Sequence, residues 1–173
     1  NKLVKSTRNT RNKKIVKRPS ANPKIMTTQE GFFITGSCIS ISGYDNLVKE
    51  IALGLLNQGL PIKLNALCEF NLSICPEKFS RIIHFKPNHC KELIINTPPN
   101  IRFLNPTKNS IILTMWETDK IHESWAKAIN LASKVIVPSS WGKECFIKSG
   151  VQIPIDVVPL GYNPVSFYPT WNK

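Results

Sequence analysis

Residues 111–161 read IILTMWETDKIHESWAKAINLASKVIVPSSWGKECFIKSGVQIPIDVVPLG, and the period of their apolar positions changes repeatedly. Ile111, Ile112, Leu113, Thr114 and Met115 make a nearly continuous apolar run, which predicts a strand covered on both faces. Ile121, Trp125, Ala128, Ile129 and Ala132 then recur at helical spacing. Val135-Ile136-Val137 is strand again, stopped by Pro138. Trp141, Cys145 and Phe146 are expected on one face of a short helix that closes at Gly150. Ile155, Asp156, Val157 and Val158 form a last strand, ended by Pro159-Leu160-Gly161. Alternation of strand and helix is the pattern of βαβ units. It predicts an α/β chain with a Rossmann-like, doubly wound parallel sheet in a single domain.

The same pattern extends towards the N-terminus. Phe32-Phe33-Ile34-Thr35 predicts a first strand, ended by Gly36-Ser37. After a loop through Gly43 and Tyr44, residues Leu47, Val48, Ile51, Ala52 and Leu55 give one helical stripe. Asp45 or Ser42 can cap that helix, and Gly59 with Pro61 ends it. Ile62 to Leu67 alternates as a second strand, and Leu93-Ile94-Ile95 predicts another. Residues 68–108 are otherwise hard to read, with turns at Pro98-Pro99 and Asn105-Pro106.

Charge is unevenly distributed. The formal net charge is +12, but nine of the 23 Lys and Arg lie in residues 1–29, which hold no acid. The remainder carries 14 basic and 11 acidic side chains and is nearly balanced. Residues 1–29 therefore read as a basic, unstructured arm or linker, residues 30–162 as the folded domain, and residues 163–173 as a further linker. The start at Asn1 rather than Met suggests a piece of a longer chain. No apolar run reaches the length of a membrane span, and no secretory leader is recognised. The five cysteines Cys38, Cys68, Cys75, Cys90 and Cys145 lack paired spacing, which suggests free thiols in a reducing, cytoplasmic setting. Their spacing with His84 and His89 matches no zinc pattern, so no metal is expected. The GxSxG elbow, the P-loop and the GxGxxG fingerprint are all missing.

Ligands of open parallel sheets bind beyond the carboxyl ends of the strands. That rule selects residues 36–44, 116–119, 138–141 and 159–162. Within them Gly43 and Tyr44 precede a helix N-terminus, where backbone N–H groups favour an anion. Trp116 offers a ring on which a sugar can stack, and Glu117 can accept hydrogen bonds from its hydroxyls. Thr118 or Asp119 can instead cap the helix that begins near Ile121. Ser139 or Ser140 is expected to cap the next helix, with a contact to phosphate or acceptor as a second role.

Four of these stretches, in this order and spacing, resemble a known family. Leu113 to Asp119, Ala132 to Trp141, Phe146 to Val151 and Val157 to Gly161 look like the end of the N-terminal domain of GT-B glycosyltransferases of the family-four type. Gly43-Tyr44 and the following helix resemble that family's first loop. The likeness covers roughly residues 31–165. It implies one half of a two-domain, retaining glycosyltransferase that transfers a hexosyl group. This half would bind the carbohydrate or glycoconjugate acceptor, and a C-terminal domain that begins beyond Lys173 would bind the nucleotide-diphosphate sugar. The family needs no metal or other cofactor. In its terms Gly43 would approach diphosphate or acceptor, Glu117, Thr118, Asp119 and Ser139 would line the cleft, and Gly161 would lead into the linker. Tyr168 and Trp171 would belong to that linker or pack on the second half. No catalytic base is assignable, and the isolated chain is expected to be inactive. Two other readings compete: a stand-alone Rossmann-type module binding nucleotide or sugar, and an adaptor for nucleic acid or anionic surfaces acting through residues 1–29.

Overall fold

The computed structural model describes residues 30–38, 42–67 and 89–162. The basic arm, the 163–173 segment, Cys68, Cys75 and His84 lie outside the described residues. Six strands, β1 (Glu30–Gly36), β2 (Ile62–Ala66), β3 (His89–Ile95), β4 (Ser110–Leu113), β5 (Lys134–Val137) and β6 (Ile155–Val157), form one sheet in the order β2-β1-β3-β4-β5-β6. Every pairing is parallel. The helices are α1 (Gly43–Asn57), α2 (Pro98–Ile101), α3 (Glu123–Ile129) and α4 (Ser140–Lys148).

Side chains of a strand alternate between faces, and here alternation divides each apolar run between two cores. Leu93, Ile95 and Leu113 pack with Ile34, Ile62 and Leu64 under Val48 and Ala52 of α1. Ile94, Ile112, Val135 and Val137 point the other way, against Ile101, Ala126, Ile129, Cys145 and Phe146. The chain is therefore an α/β, doubly wound, Rossmann-like domain. Tripeptides such as Leu93-Ile94-Ile95 are apolar throughout because both faces are covered.

Two helix ends use the same device. Gly59 (φ 77°) and Gly150 (φ 92°) take the left-handed conformation that glycine accepts without a Cβ penalty. Leu60 N–H then reaches back to Leu55 O (3.1 Å), and Val151 N–H to Phe146 O (3.0 Å), the six-residue bond of a Schellman cap.

Several boundaries differ from the sequence reading: Pro98-Pro99, read as a turn, opens α2, and β3 begins at His89 rather than Leu93. Gly43 and Tyr44, read as loop, are the first residues of α1, and of the two expected caps it is Ser42 that acts, its hydroxyl accepting from Asp45 N–H. Strand β4 ends at Leu113, so Met115 belongs to the following loop. Neither Thr118 nor Asp119 caps α3; His122 does, its ring nitrogen accepting from Ser124 N–H. The reason is a knot at residues 116–120, described below, that keeps this stretch out of the helix. Trp141 is half exposed instead of sharing the core face with Cys145 and Phe146. Helix α4 turns the small, buried Gly142 towards Val137, which rotates Trp141 to the rim.

Helix α1 sits close on the sheet at Gly36, where an added Cβ would lie 2.6 Å from Val48 Cγ2 and 3.1 Å from Ile95 O. Val48 is fully buried and stiff at χ1, so it cannot swing aside. The variant Gly36→Ala is expected to lose about 1–3 kcal/mol by overpacking, measured as a lower midpoint in urea with an unchanged slope. An unaltered or raised midpoint would show that α1 is not seated this closely.

Candidate functional site at the carboxyl edge of the sheet

The chain passes from β2 on one side of β1 to β3 on the other, so the strand order reverses between β1 and β3. A crevice is expected outside the carboxyl ends of the strands at such a switch point. A cavity of about 550 Å³ lies there. One wall is the start of α1, with Ser42, Gly43, Tyr44 and Leu47. The opposite wall is the loop after β4, with Met115, Trp116, Glu117 and Thr118. Thr97 and Leu160 complete the lining from the ends of β3 and β6.

The two walls are joined by one side chain. The Tyr44 hydroxyl donates to Met115 O (3.0 Å) and accepts from Met115 N–H (2.9 Å), with the Thr114 hydroxyl 3.4 Å away. Met115 has just left the strand ladder, and the phenol replaces the partner its peptide groups no longer have. Burial pushes the Tyr44 pKa above the ordinary phenol value. The bonds to Thr114 and Met115 oppose that rise, and the Glu117 carboxylate adds to it.

The second wall is held by an internal knot. The Trp116 indole N–H is shared between Thr118 Oγ1 (2.6 Å) and Lys120 O (2.9 Å), and the Thr118 hydroxyl donates to Lys120 O (2.9 Å). The Trp116 ring packs edge-on against Trp125, with centroids 5.1 Å apart at 76°. Behind the loop, the Cys145 thiol donates to Thr118 O at 3.1 Å. Burial raises the pKa of that thiol above its usual value. The ring of Trp116 therefore lines the cavity, but its N–H is already engaged. Glu117 is exposed at the cavity wall.

Five of the eight residues singled out in the sequence thus meet at one cavity: Gly43, Tyr44, Trp116, Glu117 and Thr118. Asp119 lies instead in a smaller concavity of about 110 Å³ with Trp141 and Cys145. Ser139 caps α4, its hydroxyl accepting from Gly142 N–H at 3.1 Å, and it is not part of the cavity lining. Gly161 is exposed, and the lining contribution from that segment is Leu160. Sequence reasoning missed Leu47, Met115 and Thr97. Thr97 directly follows Ile95-Asn96, so a firm assignment of β3 together with the strand-end rule would have found it.

Comparison with protein-family models, curated proteins and solved structures finds no match. Among the described residues, no group of three or more His, Cys, Asp or Glu is placed to hold a metal ion. Among the described residues, Cys145 is a free thiol. No helix among these residues is long and apolar enough to cross a membrane.

Removing the hydroxyl in Tyr44→Phe strands the N–H and C=O of Met115, a cost of about 1–3 kcal/mol. Chemical denaturation at neutral pH should read that loss, and equal stability of the two proteins would show that the clamp is idle. The same phenol predicts a pH dependence. Its folded pKa lies above its unfolded value of about 10, so its contribution is complete below about pH 10 and declines as pH rises through the folded value. Wild type should therefore lose stability more steeply than Tyr44→Phe above about pH 10, and parallel curves would contradict the assignment.

Proposed function

We propose that this chain is the acceptor-binding half of a retaining, nucleotide-sugar-dependent glycosyltransferase that transfers a hexosyl group. The observation that carries this reading is convergence. Gly43 and Tyr44 come from one stretch that resembles family-four GT-B enzymes, and Trp116, Glu117 and Thr118 from another about 70 residues away. They line a single cavity at the sheet's switch point. Apolar walls from Leu47, Met115, Trp116 and Leu160 suit the C–H face of a sugar ring, and the Glu117 carboxylate can accept from its hydroxyls. On this reading a second domain holds the nucleotide-diphosphate sugar across the cleft. Transfer then depends on bringing donor and acceptor together in a closed, water-poor space. The protein's own part is positioning: Tyr44 fixes the distance between the walls, and Glu117 orients the acceptor.

A second reading has one observation in its favour. The cavity is formed within a single domain, as a stand-alone sugar- or nucleotide-binding module would require. Tight binding of a nucleotide by the 173-residue chain alone would favour that module.

Assays of sugar transfer from a panel of labelled nucleotide sugars separate the two. The chain alone should give no turnover, whereas the chain joined to a donor-binding domain should transfer. In that active protein Glu117→Ala should lower kcat/KM for the acceptor by at least about tenfold, with the KM for the donor little changed. Robust turnover by the 173-residue chain alone, or an unchanged acceptor kcat/KM in the variant, would refute the proposal.

A further inference from the structure

We infer that the acceptor taken by this cavity is an uncharged, hydroxyl-bearing molecule and that a phosphate-bearing one is disfavoured; the inference rests on the glycosyltransferase reading above.

A helix N-terminus at the end of a strand is ordinarily a place for an anion. At α1 that role is already filled from inside. Asp45, in the first turn and 2% exposed, directs Oδ2 at the Ser42 hydroxyl, which donates to it at 2.6 Å. The Ser42 hydroxyl and carbonyl in turn accept from Asp45 N–H (3.2 Å) and Asn46 N–H (3.0 Å). One of the amides that a helix start leaves unpaired, that of Asp45, is thereby used by the cap, and the Asn46 bond is the first of the helix itself. A carboxylate also sits where the helix dipole would otherwise attract a phosphate.

Three side-chain donors on the rest of the lining, those of Tyr44, Trp116 and Thr118, are spent in the same way, which leaves the Thr97 hydroxyl. The Tyr44 hydroxyl proton goes to Met115 O, the Trp116 N–H to Thr118 and Lys120, and the Thr118 hydroxyl to Lys120 O. What remains towards the cavity is chiefly an acceptor, the Glu117 carboxylate. Among the described residues the lining contains no Lys, Arg or His. Phosphate oxygens need donors or cations to replace their lost water, and this lining supplies a carboxylate and no cationic side chain. A hydroxyl group brings its own donor and meets that carboxylate directly. The +12 formal charge of the chain does not alter this, since its main basic run lies in residues 1–29 and the cavity wall carries Glu117.

The test compares glucose with glucose 6-phosphate, which share a ring and differ in charge. Both are titrated at low salt into the isotope-labelled 173-residue chain while the amide signals of residues 42–47 and 115–118 and the Trp116 indole signal are followed. Glucose should shift these signals with an affinity on the order of tenfold better than glucose 6-phosphate, as expected for repulsion by nearby carboxylates. The gap should shrink in Glu117→Gln, and Glu117→Lys should reverse the preference. Equal or tighter binding of glucose 6-phosphate by the wild type would overturn the inference while leaving the carbohydrate reading intact. Failure of both sugars to move any of these signals would overturn the carbohydrate reading itself, and the inference with it.

Discussion

The cavity owes its shape to the hydroxyl of Tyr44, which bonds both peptide groups of Met115 across 71 positions of sequence. One wall begins a helix and the other follows the end of a strand. A phenol suits this work because it is long enough to cross from α1 to the loop after β4 and carries both a donor and an acceptor at its tip. Its aromatic body is packed into the core beneath α1, so the polar end is delivered from a rigid base. Ser42 and Asp45 fix the start of that helix, and the Trp116, Thr118 and Lys120 knot fixes the facing loop. Each wall thus has its own local bonds besides the phenol that joins them.

The placement of the walls follows from the sheet. All strands are parallel, so their carboxyl ends share one edge. Burial of both faces leaves that edge as the place where polar segments can gather without covering the core. The core under α1 leaves no room for an added Cβ at Gly36, which approaches Val48. The loops above the two cores are set by a handful of hydrogen bonds, which lets the site vary on a constant frame.

Much of this architecture was legible in the sequence. The apolar runs at 93–95, 111–113 and 135–137 are strands, and Gly59 and Gly150 end helices as their type implies. What could not be read was local competition. Thr118 and Asp119 have good capping side chains, but the indole of Trp116 draws residue 118 into a loop and leaves His122 as cap. Trp141 has helical spacing with Cys145, yet Gly142 can approach the sheet more closely, and the helix turns accordingly. Ser139 caps α4, as the sequence allowed, and it is not among the residues lining the cavity. Spacing identifies which residues are able to serve, and packing decides which of them do. Thr97 escaped notice because residues 68–108 show no clear period.

On the proposed reading, the domain presents an acceptor to a reaction completed by a second domain, using apolar walls for the ring and one carboxylate for its hydroxyls. The most direct test is hydrogen–deuterium exchange of the chain with and without saturating neutral glycoside. Slowed exchange should appear together in residues 42–47 and 115–118, with the opposite edge of the sheet, residues 107–109 and 152–154, unaffected. Protection confined to that opposite edge, or found in neither region, would contradict the account.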